Sequence, residues 1–113
     1  MTKIIKLKIL ISVYCCVTLN DMIKSWKHKG LKKFFETGSL AGIRPAHEHR
    51  LSLILERLEA ATKPEDLNLP GMQFHTLSGR LKGCFSVSVN GNWRIIYAFK
   101  DENAVLVDYL DYH

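Results

Sequence analysis

Phe85-Ser86-Val87-Ser88-Val89-Asn90-Gly91-Asn92-Trp93-Arg94-Ile95-Ile96-Tyr97-Ala98-Phe99-Lys100 is the stretch whose reading decides the fold. Phe85, Val87 and Val89 alternate with Ser86 and Ser88, and Trp93, Ile95, Tyr97 and Phe99 alternate with Arg94, Ile96, Ala98 and Lys100. A period of two puts one set on each face of a pleated strand. Asn90-Gly91, the favoured pair for a tight primed turn, separates the runs and predicts a β-hairpin. Asp101-Glu102-Asn103 makes a second turn, after which residues 104–110 return as another strand. Residues 72–77 are expected to add a strand ahead of the hairpin.

Upstream the period changes to that of a helix. Leu31, Phe34 and Phe35 fall at i, i+3 and i+4, with Lys29, Lys32, Lys33 and Glu36 on the other side. Gly38 then suits a left-handed C-terminal cap. Arg44-Pro45 opens a second helix, because a first-turn proline sacrifices an amide that has no partner anyway. Leu51, Ile54, Leu55, Leu58 and Ala61 form its apolar stripe, with Glu48, Arg50, Glu56, Arg57 and Glu59 outside it. Residues 23–26 form a short strand candidate, and 62–71, with two prolines, a loop. The expected fold class is therefore α+β. Two N-terminal helices pack on a mainly antiparallel sheet of four or five strands, so that the apolar faces of both layers are buried together.

With 113 residues, 47% of them apolar and 24% charged, the chain can build one globular core and not two. A net charge of +5 suits an acidic partner without naming one. Cys15, Cys16 and Cys84 contain no C-x-x-C pair, which argues against a zinc site and for a reduced, cytoplasmic setting. His47-Glu48-His49 spaces its imidazoles two apart, whereas a helical zinc site wants four.

Residues 1–21 differ from the rest. Lys3, Lys6 and Lys8 precede an apolar run from 9 to 17, the basic-then-apolar layout of an export signal. Those nine residues fall short of the roughly 20 that span a bilayer. No small-x-small cleavage site follows, so no membrane association is expected. Met22 as the native start is the preferred reading, with a genuine extra segment or an export signal as the others. The domain expected to act is 22–113, and it stays basic, at net +3, without Asp21 and the three lysines.

Side chains that move protons or hold phosphate gather around the strands. His75 stands at the start of the sheet, and an imidazole titrates near neutrality. Arg94 alternates with Trp93 and Ile95, so if these enter the core its guanidinium reaches the other face, where it can grip phosphate oxygens in pairs. Spacing alone would equally let it lie over the sheet or pair with Asp108 or Asp111. Asp111-Tyr112-His113 follow the last strand.

Four segments together carry a resemblance: Met22-Ile23-Lys24-Ser25-Trp26-Lys27-His28-Lys29-Gly30-Leu31, the His-x-Leu-x-Gly run at 75–79, Asn92-Trp93-Arg94-Ile95, and the closing Asp111-Tyr112-His113. From Met22 onward the chain resembles the HigB-type toxins of the RelE/ParE superfamily. The resemblance implies a RelE-like, microbial-ribonuclease type of α+β fold and a toxin that cuts messenger RNA on the translating ribosome. It also implies neutralisation by a HigA-type antitoxin with a helix-turn-helix domain. It assigns the catalytic histidine to His75, the phosphate-binding arginine to Arg94, and the C-terminal pair to Tyr112 and His113, with Asp111 in support.

Metal-free RNA cleavage uses the substrate's own 2′-hydroxyl, so a base, an acid and a cation suffice and no cofactor is expected. His75 and His113 are the candidates for base and acid, in either order. Many relatives carry a lysine where this chain has Ser78, and Arg80 and Lys82 stand close by to replace its charge. Lys24, Lys27, Lys29, Lys32 and Lys33 form a basic cluster that is either a solvated helix face or a contact for ribosomal RNA. The superfamily also includes non-catalytic poisons of DNA gyrase, which would not need His75, Arg94 and the terminal histidine together.

Overall fold

In a computed structural model, which describes residues 23–112, the hairpin pattern becomes the middle of an antiparallel sheet. Residues 1–22 and His113 lie outside the described residues, and with them the readings made of the N-terminal segment and of the terminal imidazole. The strands are β1 (His75–Thr76), β2 (Phe85–Asn90), β3 (Trp93–Lys100) and β4 (Asn103–Asp111), side by side in chain order. The helices are α1 (Lys29–Thr37) and α2 (Glu48–Ala60), and the class is α+β as expected.

Each helix ends for a local reason. His28 caps α1 by accepting the Leu31 N–H on Nδ1 at 2.9 Å, and Gly38, at φ 82°, donates its N–H to the Phe34 carbonyl. Pro45 starts a 3-10 turn, Pro45–His47, that runs straight into α2. Leu31, Phe34 and Phe35 of α1 and Leu51, Ile54, Leu55 and Leu58 of α2 share one buried cluster with Val87, Ile95, Tyr97, Val107 and Tyr109. Both helices therefore cover the same face of the sheet.

The structure departs from the sequence reading in three places. The first turn falls on Gly91-Asn92 rather than Asn90-Gly91, with Gly91 at φ 59° and a bulge between Ser88 and Asn90 taking up the offset. The strand expected over 72–77 shrinks to β1, because Gln73 takes a left-handed φ of 50° that interrupts the extended backbone. Residues 23–27 run parallel to β4 but make only one bridge, Trp26 to Val107, before the chain must turn to let His28 cap α1.

A second bulge, in β4, places Leu106 at φ 55°, where its N–H donates to the Ser25 hydroxyl at 2.8 Å. Three residues on, the Tyr109 N–H is taken by Asp108 Oδ1 at 2.9 Å.

Rings weld the end of the sheet to the helical layer. Tyr109 lies edge-on to His28 and His47 and 4.9 Å from Trp93, while the Arg44 guanidinium sits 5.2 Å over the Trp93 ring. The buried His47 Nδ1 is 2.8 Å from the Tyr109 hydroxyl, which also accepts the Arg44 N–H at 3.4 Å. The imidazole and the hydroxyl share one proton, with donor and acceptor set by the tautomer of the ring. Burial, helped by the Arg44 charge, lowers the His47 pKa from 6.5 and so keeps the ring neutral. Burial also raises the Tyr109 pKa, against the opposing pull of Arg44. Tyr97, at the centre of the core, gives its hydroxyl to the Pro64 carbonyl at 3.0 Å.

Two outcomes are expected from this packing. Leu55→Ala, which empties a fully buried position, should cost about 2–5 kcal/mol, read from the urea midpoint. His47 binds its proton less readily folded than unfolded, so stability should fall as pH drops below 6.5 and level off once the folded ring protonates. Comparing urea midpoints at pH 8 and pH 5 checks this, and His47→Gln, which keeps an acceptor for Tyr109, should flatten the slope.

Candidate active site

Register decides which side chains meet. His75 pairs with Ser86 and Ser86 with Ile96, while Ser88 pairs with Arg94 and Arg94 with Leu110. Residues directly opposite across an antiparallel pair share a face, as do residues two apart along a strand. His75, Ser86, Ser88 and Arg94 therefore lie on the face away from the helices, and Phe85, Val87, Ile95, Tyr97 and Tyr109 on the face the helices cover. The Tyr112 N–H donates to the Asn92 carbonyl at 2.7 Å, which carries the β4 ladder one residue further and returns Tyr112 to the Arg94 face. Asp111, opposite Trp93, falls on the helix side.

Arg94 leans across β2. Its Nη1 donates to the Ser86 hydroxyl at 3.1 Å and to the Gln73 carbonyl at 3.3 Å. Ser86 is the very residue opposite His75, so the guanidinium head is carried to the strand position beside that imidazole. The two Cα atoms are about 12 Å apart, from two strand spacings and a two-residue offset, which the long arginine side chain largely closes. The Nε and Nη2 hydrogens of Arg94 have no partner among the described residues, and neither does the exposed His75 ring. A paired donor and an open imidazole can together hold a phosphodiester and exchange a proton with it.

The other candidates are spread around this face. Arg80 and Lys82 are exposed on the loop from β1 to β2, whose 3-10 turn, Gly79–Leu81, starts at the exposed Ser78. The Leu77 N–H to Cys84 carbonyl bond, 3.0 Å, ties that loop to the end carrying His75. Lys29, Lys32 and Lys33 are exposed on α1, in the layer behind the sheet, and Lys24 and Lys27 line the β4 edge. Lys29, Lys32 and Lys33 and the Arg94 face thus belong to different sides of the domain. Cys84 is half-exposed. Among the described residues no group of three His, Cys, Asp or Glu could hold a metal, and no helix is long and apolar enough to cross a membrane.

Sequence reasoning passed over Ser86 and Gln73, the two groups that aim Arg94. Ser86 was within reach, since a small polar residue at an outward position of the strand beside Arg94 is a natural hydrogen-bond partner. Gln73 acts through its main-chain oxygen, which leaves no trace in side-chain pattern.

A curated protein from Proteus vulgaris named Endoribonuclease HigB is 39% identical over 92 residues, covering 81% of this chain and all of that one. Toxin HigB-1 of Vibrio cholerae is 37% identical over 94 residues, covering 81% of this chain and 98% of its own. A copper-bound mutant toxin from Helicobacter pylori aligns at 21% identity and a TM-score of 0.46, over 80% of this chain and 93% of that one, too loosely to bear on the site. The model of the RelE-like toxins of type II toxin–antitoxin systems called HigB matches residues 24–113. On that match and those relatives, the chain belongs to the HigB-like family of type II toxins.

Proposed function

We propose that this toxin is an endoribonuclease, the activity named for its Proteus vulgaris relative, and that it cuts messenger RNA on the translating ribosome without a metal ion. The observation that carries the reading is strand register, which puts His75, Arg94 and Tyr112 on the sheet face away from the helices. One of His75 and His113 draws the proton from the 2′-hydroxyl, whose oxygen attacks the adjacent phosphorus in line. The other protonates the departing 5′-oxygen, leaving a 2′,3′-cyclic phosphate. The N–H groups of Arg94 that have no partner among the described residues meet the charge that builds on the phosphoryl oxygens. Tyr112 orients the nucleotide.

A type II toxin has an antitoxin. The proposed one is a HigA-type helix-turn-helix protein, and the proposed setting is the cytoplasm, where ribosomes and messages are. Lys24, Lys27, Lys29, Lys32 and Lys33 are proposed to hold ribosomal RNA, while Arg80 and Lys82 steady the message beside His75.

On ribosomes programmed with a defined message, His75→Ala and Arg94→Ala should each cut about 10²- to 10⁴-fold more slowly. A message with a 2′-deoxy nucleotide at the cut should survive. Unimpaired variants, or cleavage of the deoxy message, would refute the mechanism. Reversing Lys29, Lys32 and Lys33 to glutamate should weaken ribosome association and flatten its salt dependence, because each phosphate contact releases counterions. Quench-flow should then show an unchanged rate of cutting once the ribosome is saturated.

A further inference from the structure

Between the helical layer and the open face stands one arginine that the mechanism above does not use. Arg50, in the first turns of α2, gives Nη2 to the Gly71 carbonyl at 2.6 Å and Nε to the Ser88 carbonyl at 3.2 Å. Met72, the next residue, is itself joined to β2, its carbonyl accepting the Ser88 N–H at 2.8 Å. One planar guanidinium thus fastens the strand that carries Ser86 to the segment leading into β1.

That segment has much to hold and little to hold it. Gln73 keeps a left-handed φ of 50°, unfavourable for a residue with a Cβ, and so turns its carbonyl toward Arg94. Two residues on is His75, on a strand that pairs only through His75 with Ser86 and Thr76 with Phe85. A two-residue strand at a sheet edge frays readily unless something outside the ladder fixes it. Burial of the Met72 side chain anchors the segment radially, and the Arg50 fork fixes its position along β2.

We infer that Arg50 is a positioning residue for RNA cleavage, which holds residues 71–76 so that the His75 imidazole and the carbonyl that aims Arg94 stay in register with Ser86. This rests on the endoribonuclease reading. Arg50 acts through backbone carbonyls and touches no reacting atom. Because it must bridge two acceptors with a planar fork, lysine cannot replace it, although lysine restores the charge.

The test compares full-length wild type, Arg50→Lys and Arg50→Ala. Under single-turnover conditions on saturating programmed ribosomes, both variants should cut about 100-fold more slowly, the scale of a misplacement near 1 Å, with ribosome affinity unchanged within about twofold. Recovery of the rate in Arg50→Lys, or a loss confined to affinity, would mean that the residue acts by charge on RNA, and the inference would fall. Amide hydrogen exchange reads the clamp independently of chemistry: residues 71–77 should exchange faster in both variants while the rest of β2–β4 keeps wild-type protection. Equal exchange in that segment, or faster exchange throughout, overturns the positioning role. Faster local exchange in a protein whose wild type cuts no message would keep the clamp and sink the endoribonuclease reading instead.

Discussion

One packing demand governs the molecule: Phe85, Val87, Ile95, Tyr97 and Tyr109 have to be covered by the two helices. Strand side chains alternate strictly, so that demand also decides what faces outward. A slip of one residue between β2 and β3 would bring the Arg94 charge into the apolar layer and set Ile95 in water. Neither is tolerable when unpaired charge is so costly to bury. The core therefore keeps Ser86 and Arg94 turned outward, whereas His75, on the two-residue β1, needs fixing from outside the ladder.

The same logic explains how much of the molecule could be read beforehand. The stripe Leu51, Ile54, Leu55, Leu58 and the alternation in β2 and β3 are periodic signals, and they gave the layers and the outward turn of Arg94. What periodicity cannot see is backbone that leaves its regular region. Gln73 shortens β1 by its φ alone, and no composition rule marks a glutamine for that conformation. Resemblance to known toxins supplied a set of site residues but not their orientation. Asp111 and Tyr112, neighbours in sequence, end on opposite faces because β4 is still extended there. His47 looked like a helix-start residue fit only for dismissal as a metal ligand. It became the buried partner of Tyr109, a pairing across 62 positions that spacing could not disclose.

The aromatic and imidazole contacts around Tyr109 link the two layers at the end of the sheet from which Tyr112 extends. Arg44, His47 and His28 come from the helical layer, Trp93 and Tyr109 from the sheet. A large, closely packed ring cluster permits few alternative rotamers. The strand ends that carry Trp93 and Tyr109 are accordingly stiff, whereas the start of the sheet depends on a few hydrogen bonds to carbonyls. One side of the open face is rigid by packing and the other is held by polar contacts.

The bulge at Leu106 has a bearing on how these molecules behave toward one another. A sheet ending in a flat strand with a row of unclaimed amides invites a neighbouring copy to zip onto it. Here the left-handed Leu106 coils the margin of β4, the Ser25 hydroxyl stoppers its amide, and Asp108 does the same for Tyr109. The margin of β4 is thereby less open to pairing with a second chain.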